Sequence, residues 1–329
     1  MNINKKILLL VFFFIFGCTH LDNNNSENEN GLFYKTIVVD NTERRYAIYI
    51  PQNSDISFLH PLVIELHGGG IYIEDMTGDS GYKSPYKLWM NIADKENLII
   101  VYPEGLNGTY GKPTWNDCRA NSTVSSKAND VKFISELLEA ISSNHKIDTN
   151  RIYVSGTSNG GLMALRLAVE LSDKIAAVAT VAASMPEKSK CKNPTNPISV
   201  LFMNGTNDNH LPFNGGTIGN PPKLSFGSVY PVKTSVKMWI NINQTDTIPS
   251  VHNFPDIDKN DGGNVIKYSY TNGKNGTEVI FYKINGGGHS APSIKEQYSS
   301  LFEKYFNKQN HDIEMTTEVW KFFKDKRLY

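Results

Sequence analysis

Five residues near the middle of the chain place a serine between two glycines: Gly156-Thr157-Ser158-Asn159-Gly160. A serine hydroxyl is a weak nucleophile, and it reacts only where a base can take its proton and backbone amides can stabilise the developing oxyanion. A bare motif of this kind occurs by chance in roughly one chain in ten of this length, so its setting decides its meaning. An apolar run, Ile152 to Val154, precedes the motif and a helical pattern, Leu162 to Leu171, follows it. The sequence therefore predicts Ser158 as a nucleophile on a strand-to-helix turn, and a glycine-rich turn with a capping serine is the alternative.

Two later residues could complete this chemistry, an acid and a histidine. Asp208 follows the apolar run Ile198 to Met203, and His289 follows the run Val279 to Ile284 through a stretch rich in glycine. The carboxyl ends of parallel strands meet at one edge of a sheet, and serine, acid and histidine stand in the chain order that such a turn requires. We therefore expect His289 to act as the base and Asp208 to orient it. An aspartate in a turn and a lone histidine are more often structural, and His210 is the main competitor for the base.

A second glycine-rich segment, His67-Gly68-Gly69-Gly70, follows the apolar run Leu62 to Leu66. Glycines leave backbone amides unobstructed, which suits groups that must face a developing negative charge. We expect the amides of Gly69 and Asn159 to form the oxyanion hole. His67 is expected to order the loop and to take no direct part in the chemistry.

The elements around these motifs alternate between apolar strands and amphipathic helices. This alternation requires crossover connections, and it predicts an α/β fold with a mostly parallel sheet and helices on both faces. The runs Phe33 to Val39 and Arg45 to Ile50 flank a polar turn and predict an antiparallel N-terminal hairpin. The other expected strands are 62–66, 98–102, 152–154, 175–181, 198–203, 265–270 and 279–284, and the expected helices are 131–141, 162–171, 293–306 and 317–324.

Length and composition limit the classes of function. The chain has 329 residues, of which 40% are hydrophobic, and a formal net charge of +0 at pH 7. This length suits one large domain, and no change of composition divides the chain after about residue 32. A neutral chain does not favour a nucleic-acid partner, so we expect an uncharged or mildly polar one.

The first residues have the pattern of an export signal. Two lysines precede an apolar run, Ile7 to Phe16, that is too short for a permanent membrane-spanning helix. The run ends at Gly17-Cys18, where the sequence resembles a bacterial lipobox. We assign 1–17 to a lipoprotein-type signal peptide with lipidation at Cys18, 18–31 to a flexible tether and 32–329 to a single catalytic domain. The residue after Cys18 favours the outer membrane, and a plain secretory signal is the alternative.

Two cysteines remain after Cys18, namely Cys118 and Cys191. An even remainder in an exported protein favours a disulfide between them, and two buried free thiols are the alternative.

Three aromatic residues near the motifs are candidates for substrate contact: Tyr72, Trp115 and Phe213. Each could stack on a ring of the substrate, although packing under a loop is the commoner use of an aromatic side chain. The long segments 72–86 and 214–230 are the expected source of further contacts. We expect no metal, because the segment Asp256 to Gly262 begins like a calcium loop but has its glycine one position late and no glutamate at the twelfth position.

Together these motifs resemble a known family, the extracellular esterases that include polyhydroxybutyrate depolymerases and the feruloyl and acetylxylan esterases of carbohydrate esterase family 1. The segments that carry the resemblance are ERRYAIYIP, PLVIELHGGG, LIIVYPEG, WNDC, RIYVSGTSNGGLMALRLA, FMNGTNDNHLPFNGG, INGGGHS and EVWKFF. The resemblance implies an α/β-hydrolase fold with Ser158 as nucleophile, Asp208 as acid, His289 as base and no cofactor. Ala291 stands where many relatives have a tryptophan, which disfavours a polyester substrate. The cysteine that many relatives carry after the helix tryptophan is also absent.

The resemblance predicts a serine esterase that acts through an acyl-enzyme, with feruloyl or acetyl esters of plant polysaccharide as the expected substrates. A depolymerase of poly(3-hydroxybutyrate) or its oligomers is the nearest alternative, and a peptidase is a further one. A catalytically silent, glycan-binding surface lipoprotein is an alternative of another class, which the intact Ser158, Asp208 and His289 disfavour. We expect an exported protein, either secreted or held in the cell envelope by an N-terminal lipid anchor alone.

Overall fold

The computed structural model describes residues 30–52, 57–220 and 224–328. The strands are β1 Gly31–Val39, β2 Thr42–Ile50, β3 His60–Leu66, β4 Ile99–Pro103, β5 Ile147–Thr157, β6 Ala177–Val181, β7 Ser199–Gly205, β8 Gly216–Asn220, β9 Leu224–Val229, β10 Ser250–Asn253, β11 Asn264–Tyr270 and β12 Val279–Asn285. The α-helices are α1 Ile73–Thr77, α2 Leu88–Glu96, α3 Asp130–Asn144, α4 Asn159–Glu170, α5 Val232–Asn243, α6 Ser300–Phe306 and α7 Met315–Phe323. The expected signal peptide 1–17, its lipidation residue Cys18 and nearly all of the tether 18–31 lie outside the described residues.

Ten of these strands form one sheet in the order β1-β2-β4-β3-β5-β6-β7-β12-β11-β10. The central strands from β4 to β12 are parallel to one another. The hairpin β1–β2 adds to one edge in antiparallel orientation, as predicted from the sequence. Strands β11 and β10 extend the other edge, also antiparallel. The predicted mixed sheet is therefore confirmed, and strand β10 was not predicted from the sequence.

Helices cover both faces of this sheet. Consecutive residues of β3 alternate between the two faces, because Leu62 and Ile64 belong to the core under α3, α4 and α5, while Val63 belongs to the core under α1, α2 and α7. A strand buried on both sides has no polar face, which is why the central strands appear as continuous apolar runs in the sequence.

The helix expected over 293–306 is wrong in its first half, since only Ser300–Phe306 is helical. The hydroxyl of Ser293 accepts a hydrogen bond from the amide of Glu296 at 3.0 Å and donates to Glu314 at 2.7 Å. Such side-chain bonds to the backbone compete with helix formation. Helix α6 begins where the hydroxyl of Ser299 caps it by accepting from the amide of Phe302.

The segment 214–230, expected to be a long loop, contains the two-stranded hairpin β8–β9. This hairpin is separate from the main sheet and lies at the edge where the predicted reactive residues are found. Within the described ranges, no helix combines the length and the apolar composition that crossing a lipid bilayer requires.

Candidate active site

The turn between β5 and α4 holds Ser158 in a backbone conformation that few non-glycine residues adopt, with φ 55° and ψ −119°. The flanking glycines are required by close contacts. A Cβ on Gly156 would lie 2.5 Å from the carbonyl oxygen of Gly160, and a Cβ on Gly160 would lie 2.2 Å from that of Leu66. The strand, the turn and the neighbouring strand β3 therefore approach each other so closely that only glycine fits, as expected from the motif.

The structure brings together the three residues predicted to react. His289 Nε2 lies 2.9 Å from Ser158 Oγ, and His289 Nδ1 lies 2.7 Å from Asp208 Oδ2. The other carboxylate oxygen of Asp208 accepts hydrogen bonds from the amides of His210 and Leu211 at 2.8 and 2.7 Å. The carboxylate is thus fixed on both sides, and its contact with Nδ1 leaves the lone pair of Nε2 directed at the serine hydroxyl.

The loops that carry Asp208 and His289 follow the adjacent parallel strands β7 and β12. A Cβ on Gly205, at the end of β7, would lie 2.2 Å from the carbonyl oxygen of Gly287. The amide of Asn207 also donates to that same carbonyl at 2.9 Å. Glycine at position 205 therefore lets the two loops touch, and this contact holds the loop of Asp208 against the loop of His289.

The proposed oxyanion donors lie next to each other. A Cβ on Gly69 would be 3.7 Å from Asn159 Cβ. Within the described residues the amides of Gly69 and Asn159 donate to no protein acceptor, whereas the amide of Gly70 donates to the carbonyl oxygen of Pro113 at 2.8 Å. The amides of the two residues expected from the sequence are therefore available to bind an oxyanion.

His67 holds the glycine loop in place. Its Nε2 accepts a hydrogen bond from the amide of Gly105 at 2.9 Å, so Nδ1 carries the proton and donates to the carbonyl oxygen of Gly68 at 2.7 Å. Burial lowers the pKa of His67 to about 4. The imidazole is therefore neutral and acts on the loop, in agreement with the ordering role expected for it.

The side chain of Asn159 is bonded to the loop that contains Trp115. Its Oδ1 accepts from the amide of Trp115 at 2.7 Å, and its Nδ2 donates to the carbonyl oxygen of Trp115 at 3.1 Å and to Asp117 Oδ2 at 2.6 Å. The indole of Trp115 donates to the carbonyl oxygen of His67 at 2.9 Å. One loop thus contacts both segments that carry the expected oxyanion donors.

A cavity of about 560 Å³ opens above Ser158 and His289. The residues that line it are Gly69, Gly70, Tyr110, Lys112, Thr114, Arg119, Val124, Ser125, Ser158, Asn159, Asn209, His210, Leu211, Ile218, Gly219, Phe226, His289 and Phe306. Its aromatic members are Tyr110, Phe226 and Phe306, besides the two imidazoles. The expectation that segment 214–230 contributes contacts agrees with the positions of Ile218 and Phe226, while no sequence motif marks Tyr110 or Phe306.

The three aromatic residues proposed for substrate contact are placed elsewhere. Trp115 is 0% exposed, so a direct contact with substrate is excluded for it in this conformation. The ring of Tyr72 lies under the ammonium of Lys112, and Phe213 packs against Phe281 in the core. None of the three lines the cavity. Each aromatic ring has a packing partner beneath its loop, and this partner could not be read from the sequence.

His210, the competing base, does not contact Ser158. Its ring stacks on that of His289, with 5.1 Å between ring centroids, and on that of Phe306, with 4.6 Å. Burial and the neighbouring His289 lower the pKa of His210. His210 is therefore an aromatic part of the cavity wall beside the base.

Cys118 and Cys191 form a disulfide, with 5.3 Å between their Cα atoms. It links the loop that follows Trp115 to the segment after β6. Ala291, which the resemblance implied to stand in place of a tryptophan near the site, is buried in the core and does not line the cavity.

Comparison with known proteins agrees with these features. Residues 44–190 match the sequence model of the family described as Esterase PHB depolymerase, a range that contains the glycine loop and Ser158 and ends before Asp208. A bifunctional acetylxylan esterase/xylanase of Neocallimastix patriciarum is 30% identical over 51% of this chain and 22% of its own length. Feruloyl esterase B of Piromyces equi is 31% identical over 59% of this chain and 34% of its own length. The NocK protein of Nocardia uniformis subsp. tsuyamanensis is 27% identical over 78% of this chain and 73% of its own length.

Solved structures support the fold. An acetyl xylan esterase from Aspergillus awamori has a TM-score of 0.53 and 15% identity, covering 80% of this chain and 96% of that one. A thermostable esterase has the same TM-score of 0.53, with 13% identity over 90% of this chain and 63% of that one. The resemblance expected from the motifs and the α/β-hydrolase type of fold are thus confirmed. This chain spans about a fifth to a third of the length of the two fungal relatives and most of the length of NocK.

Proposed function

We propose that this chain, similar in sequence to the PHB depolymerase esterases and to feruloyl and acetylxylan esterases, hydrolyses carboxylic esters through a covalent acyl-enzyme. The observation that carries the proposal is one line of contacts. Asp208 binds Nδ1 of His289 at 2.7 Å, and Nε2 of the same ring faces Ser158 Oγ at 2.9 Å, at the floor of a cavity open to substrate.

The reaction begins when Ser158 Oγ attacks the ester carbonyl carbon and His289 Nε2 takes the hydroxyl proton. The carbonyl oxygen becomes an oxyanion, which the amides of Gly69 and Asn159 stabilise. Asp208 keeps the ring in the required tautomer and compensates the charge of the imidazolium.

The tetrahedral intermediate then collapses. The bond to the alcohol breaks, and the imidazolium of His289 gives its proton to the leaving oxygen. A water molecule attacks the acyl-enzyme with His289 again as base, and the second collapse releases the carboxylic acid and restores the hydroxyl of Ser158. Atoms and protons balance with water as the only co-reactant, so the proposal needs no metal or cofactor.

Esters of hydroxycinnamic acids on plant polysaccharide are the substrates we propose. A cavity of about 560 Å³ exceeds what an acetyl group occupies, and the rings of Tyr110, Phe226 and Phe306 offer apolar and aromatic surface to an acyl ring. The name of feruloyl esterase B supports the same acyl group, and that of the acetylxylan esterase/xylanase supports an ester carried on a polysaccharide. Hydrolysis of hydroxybutyrate oligomers is the second candidate, favoured by the family described for residues 44–190.

Labelling with a fluorophosphonate probe tests the mechanism. The wild-type protein should be labelled, and Ser158→Ala should lose both labelling and activity, with kcat lower by at least about 1,000-fold. Asp208→Asn should lower kcat by about 10,000-fold because the imidazole then takes the wrong tautomer. Ser125→Ala, which changes another serine of the cavity, is the matched control and should keep labelling.

Two results would contradict the proposal: labelling of Ser158→Ala at the wild-type rate, or a folded wild-type protein that is never labelled. The second would favour the glycan-binding alternative. Rates on methyl ferulate, acetylated xylan, hydroxybutyrate oligomers and a peptide then separate the substrate classes. A preference for the oligomers over methyl ferulate would replace our first substrate class with the second.

We also propose that the protein is exported, with 1–17 as its signal peptide and Cys18 as its lipidated residue. The lipobox-like sequence at Gly17-Cys18 supports this proposal. Expressed in a bacterium with labelled palmitate, the wild-type chain should carry label in the membrane fraction, and Cys18→Ser should not. Equal label in both would contradict lipidation at this residue.

A further inference from the structure

Asp117 is a buried carboxylate that the reaction proposed above does not use. It is 1% exposed, and its two oxygens accept hydrogen bonds from two different parts of the site. Oδ2 accepts from the side-chain amide of Asn159 at 2.6 Å and from Arg119 Nη2 at 2.6 Å. Oδ1 accepts from the amide of Arg119 at 2.9 Å and from its Nε at 3.0 Å.

Asn159 is the residue whose backbone amide we assign to the oxyanion hole. Two sets of contacts fix its side chain, those with the backbone of Trp115 and the single bond to Asp117. These contacts hold the first residue of α4, which carries the backbone amide assigned to the oxyanion hole. Oxyanion stabilisation is sensitive to donor position, since donors act at about 2.7–3.1 Å from the oxyanion.

Arg119 connects the same carboxylate to the hairpin β8–β9. Its Nη1 donates to the carbonyl oxygen of Phe226, and Phe226 is one of the residues that line the cavity. A Cβ on Gly227 would lie 3.0 Å from Arg119 Cβ, and Gly227 has φ +88°, so the hairpin lies directly against the arginine stem. A continuous series of hydrogen bonds therefore runs from the hairpin through Arg119 and Asp117 to Asn159.

The charges in this series are balanced, and both ions are buried. Arg119 is 5% exposed and Asp117 1%, so neither ion is compensated by solvent if its partner is removed. An asparagine at 117 would keep the shape of the side chain, but it would offer one acceptor oxygen instead of two and would direct an N–H group at other donors.

We propose that Asp117 is a positioning residue for ester hydrolysis: through the side chain of Asn159 it places the oxyanion donor, and through Arg119 it joins that donor to the hairpin that bounds the cavity. This inference rests on the proposed serine esterase mechanism. It predicts that loss of the contact between Asp117 and Asn159 weakens stabilisation of the transition state and leaves the binding of the ground-state ester nearly unchanged.

The experiment compares Asp117→Asn with Asn159→Ala and with the double variant. Asn159→Ala retains the backbone amide and removes the same contact from the other side. For methyl ferulate, each single variant should lower kcat by at least about 10-fold with KM within about two-fold of wild type. The inhibition constant of phenylboronic acid, whose tetrahedral serine adduct places an oxygen in the oxyanion hole, should rise by a similar factor.

The matched control is Glu318→Gln. Glu318 on α7 is also buried, accepts a hydrogen bond from the hydroxyl of Tyr282 at 2.8 Å and pairs with Lys321 at 2.6 Å, and among the described residues it has no hydrogen bond or ion pair with Asn159 or with the loop that contains Trp115. Its loss should reduce stability and leave kcat and boronate affinity, per active site titrated with the fluorophosphonate, within about two-fold of wild type.

The double variant distinguishes positioning from a general loss of packing. If Asp117 acts through Asn159, the double variant should lose no more kcat than the more impaired single variant, because residues that act in one series are not additive. Additive losses, unchanged kcat in Asp117→Asn, or an equal loss in Glu318→Gln would overturn the proposal. A failure of the esterase mechanism itself is distinguishable, since the wild-type protein would then not be labelled at all.

Discussion

Glu65 is a carboxyl group inside the sheet, and its replacement by glutamine should stabilise the protein in a way that depends on pH. It lies on β3 with 0% exposure, and its Oε2 accepts a hydrogen bond from the indole of Trp89 at 2.8 Å. Its partner in the sheet register is Ser155 of β5. Burial raises the pKa of Glu65 from 4.5 to about 7.

The sign of the effect follows from proton binding. Between pH 4.5 and about 7 the folded protein keeps a proton on Glu65 that the unfolded chain has lost, so the free energy of unfolding falls as pH rises through this interval. At about 1.4 kcal/mol for each pH unit, the loss reaches about 3 kcal/mol above pH 7 and is nearly absent at about pH 4. Glutamine does not titrate, and its carbonyl oxygen can still accept the bond from Trp89. Glu65→Gln should therefore be more stable than wild type by about 3 kcal/mol at about pH 8 and equally stable at about pH 4.

Urea unfolding of both proteins at the two pH values measures the difference. Glu136→Gln, which changes a half-exposed glutamate on α3, is the control and should alter the free energy of unfolding by less than about 0.5 kcal/mol at either pH. The reasoning is refuted if Glu65→Gln is destabilised equally at both pH values, because the carboxyl would then contribute through its shape and hydrogen bond and not through the cost of its charge.

Three further predictions concern the turn, the glycine loop and the disulfide. Gly160→Ala should unfold the turn or lower the free energy of unfolding by more than about 3 kcal/mol, because its Cβ would lie 2.5 Å from the carbonyl oxygen of His67. In Gly69→Ala the nearest contact of the new Cβ would be at 3.7 Å, so this variant should still fold. Circular dichroism melts of both variants measure the difference. Burial lowers the pKa of His67 from 6.5 to about 4, so within this interval the unfolded chain binds a proton that the folded protein does not bind. The free energy of unfolding should therefore fall by about 3 kcal/mol as pH drops through this interval. The fall should be smaller in His67→Gln, and an identical pH profile in that variant would contradict the prediction. The double substitution Cys118→Ser and Cys191→Ser removes a disulfide with a sequence separation of 73, which should lower the free energy of unfolding in urea by about 4 kcal/mol. A loss below about 1 kcal/mol would contradict the expected constraint on the unfolded chain.

The parts of the site that could be predicted are those whose cause is local. Gly156 and Gly160 flank Ser158 because strand, turn and helix crowd one another, and that crowding leaves a pattern within a few residues. Asp208 and His289 each follow an apolar run, so a parallel sheet brings them to one edge irrespective of the paths of their loops. The expectations for these residues agree with the geometry of the turn and of the two loops.

The substrate-facing residues could not be predicted in the same way. Trp115 was a reasonable aromatic candidate, but its indole donates to a carbonyl oxygen of the glycine loop and is buried. Phe226 and Phe306 line the cavity because a separate hairpin and a short C-terminal helix fold towards Ser158. No spacing rule links these rings to Ser158, since the paths of their loops depend on contacts with distant segments.

The sequence alone was enough to predict most strands of the mixed sheet, its N-terminal hairpin, and a serine, an acid and a histidine at the carboxyl ends of strands, but not helices α1, α2 and α5 or strands β8 to β10. The predicted features depend on hydrophobic periodicity and on glycines at crowded positions, which are properties of neighbouring residues. Tertiary contacts set the partners of buried polar groups, such as those of Asp117 with Arg119 and with Asn159, and the shape of the cavity. A buried charge is stable only beside a partner of opposite charge or a hydrogen-bonding group. That partner can come from a segment distant in sequence, so it depends on packing over the whole fold.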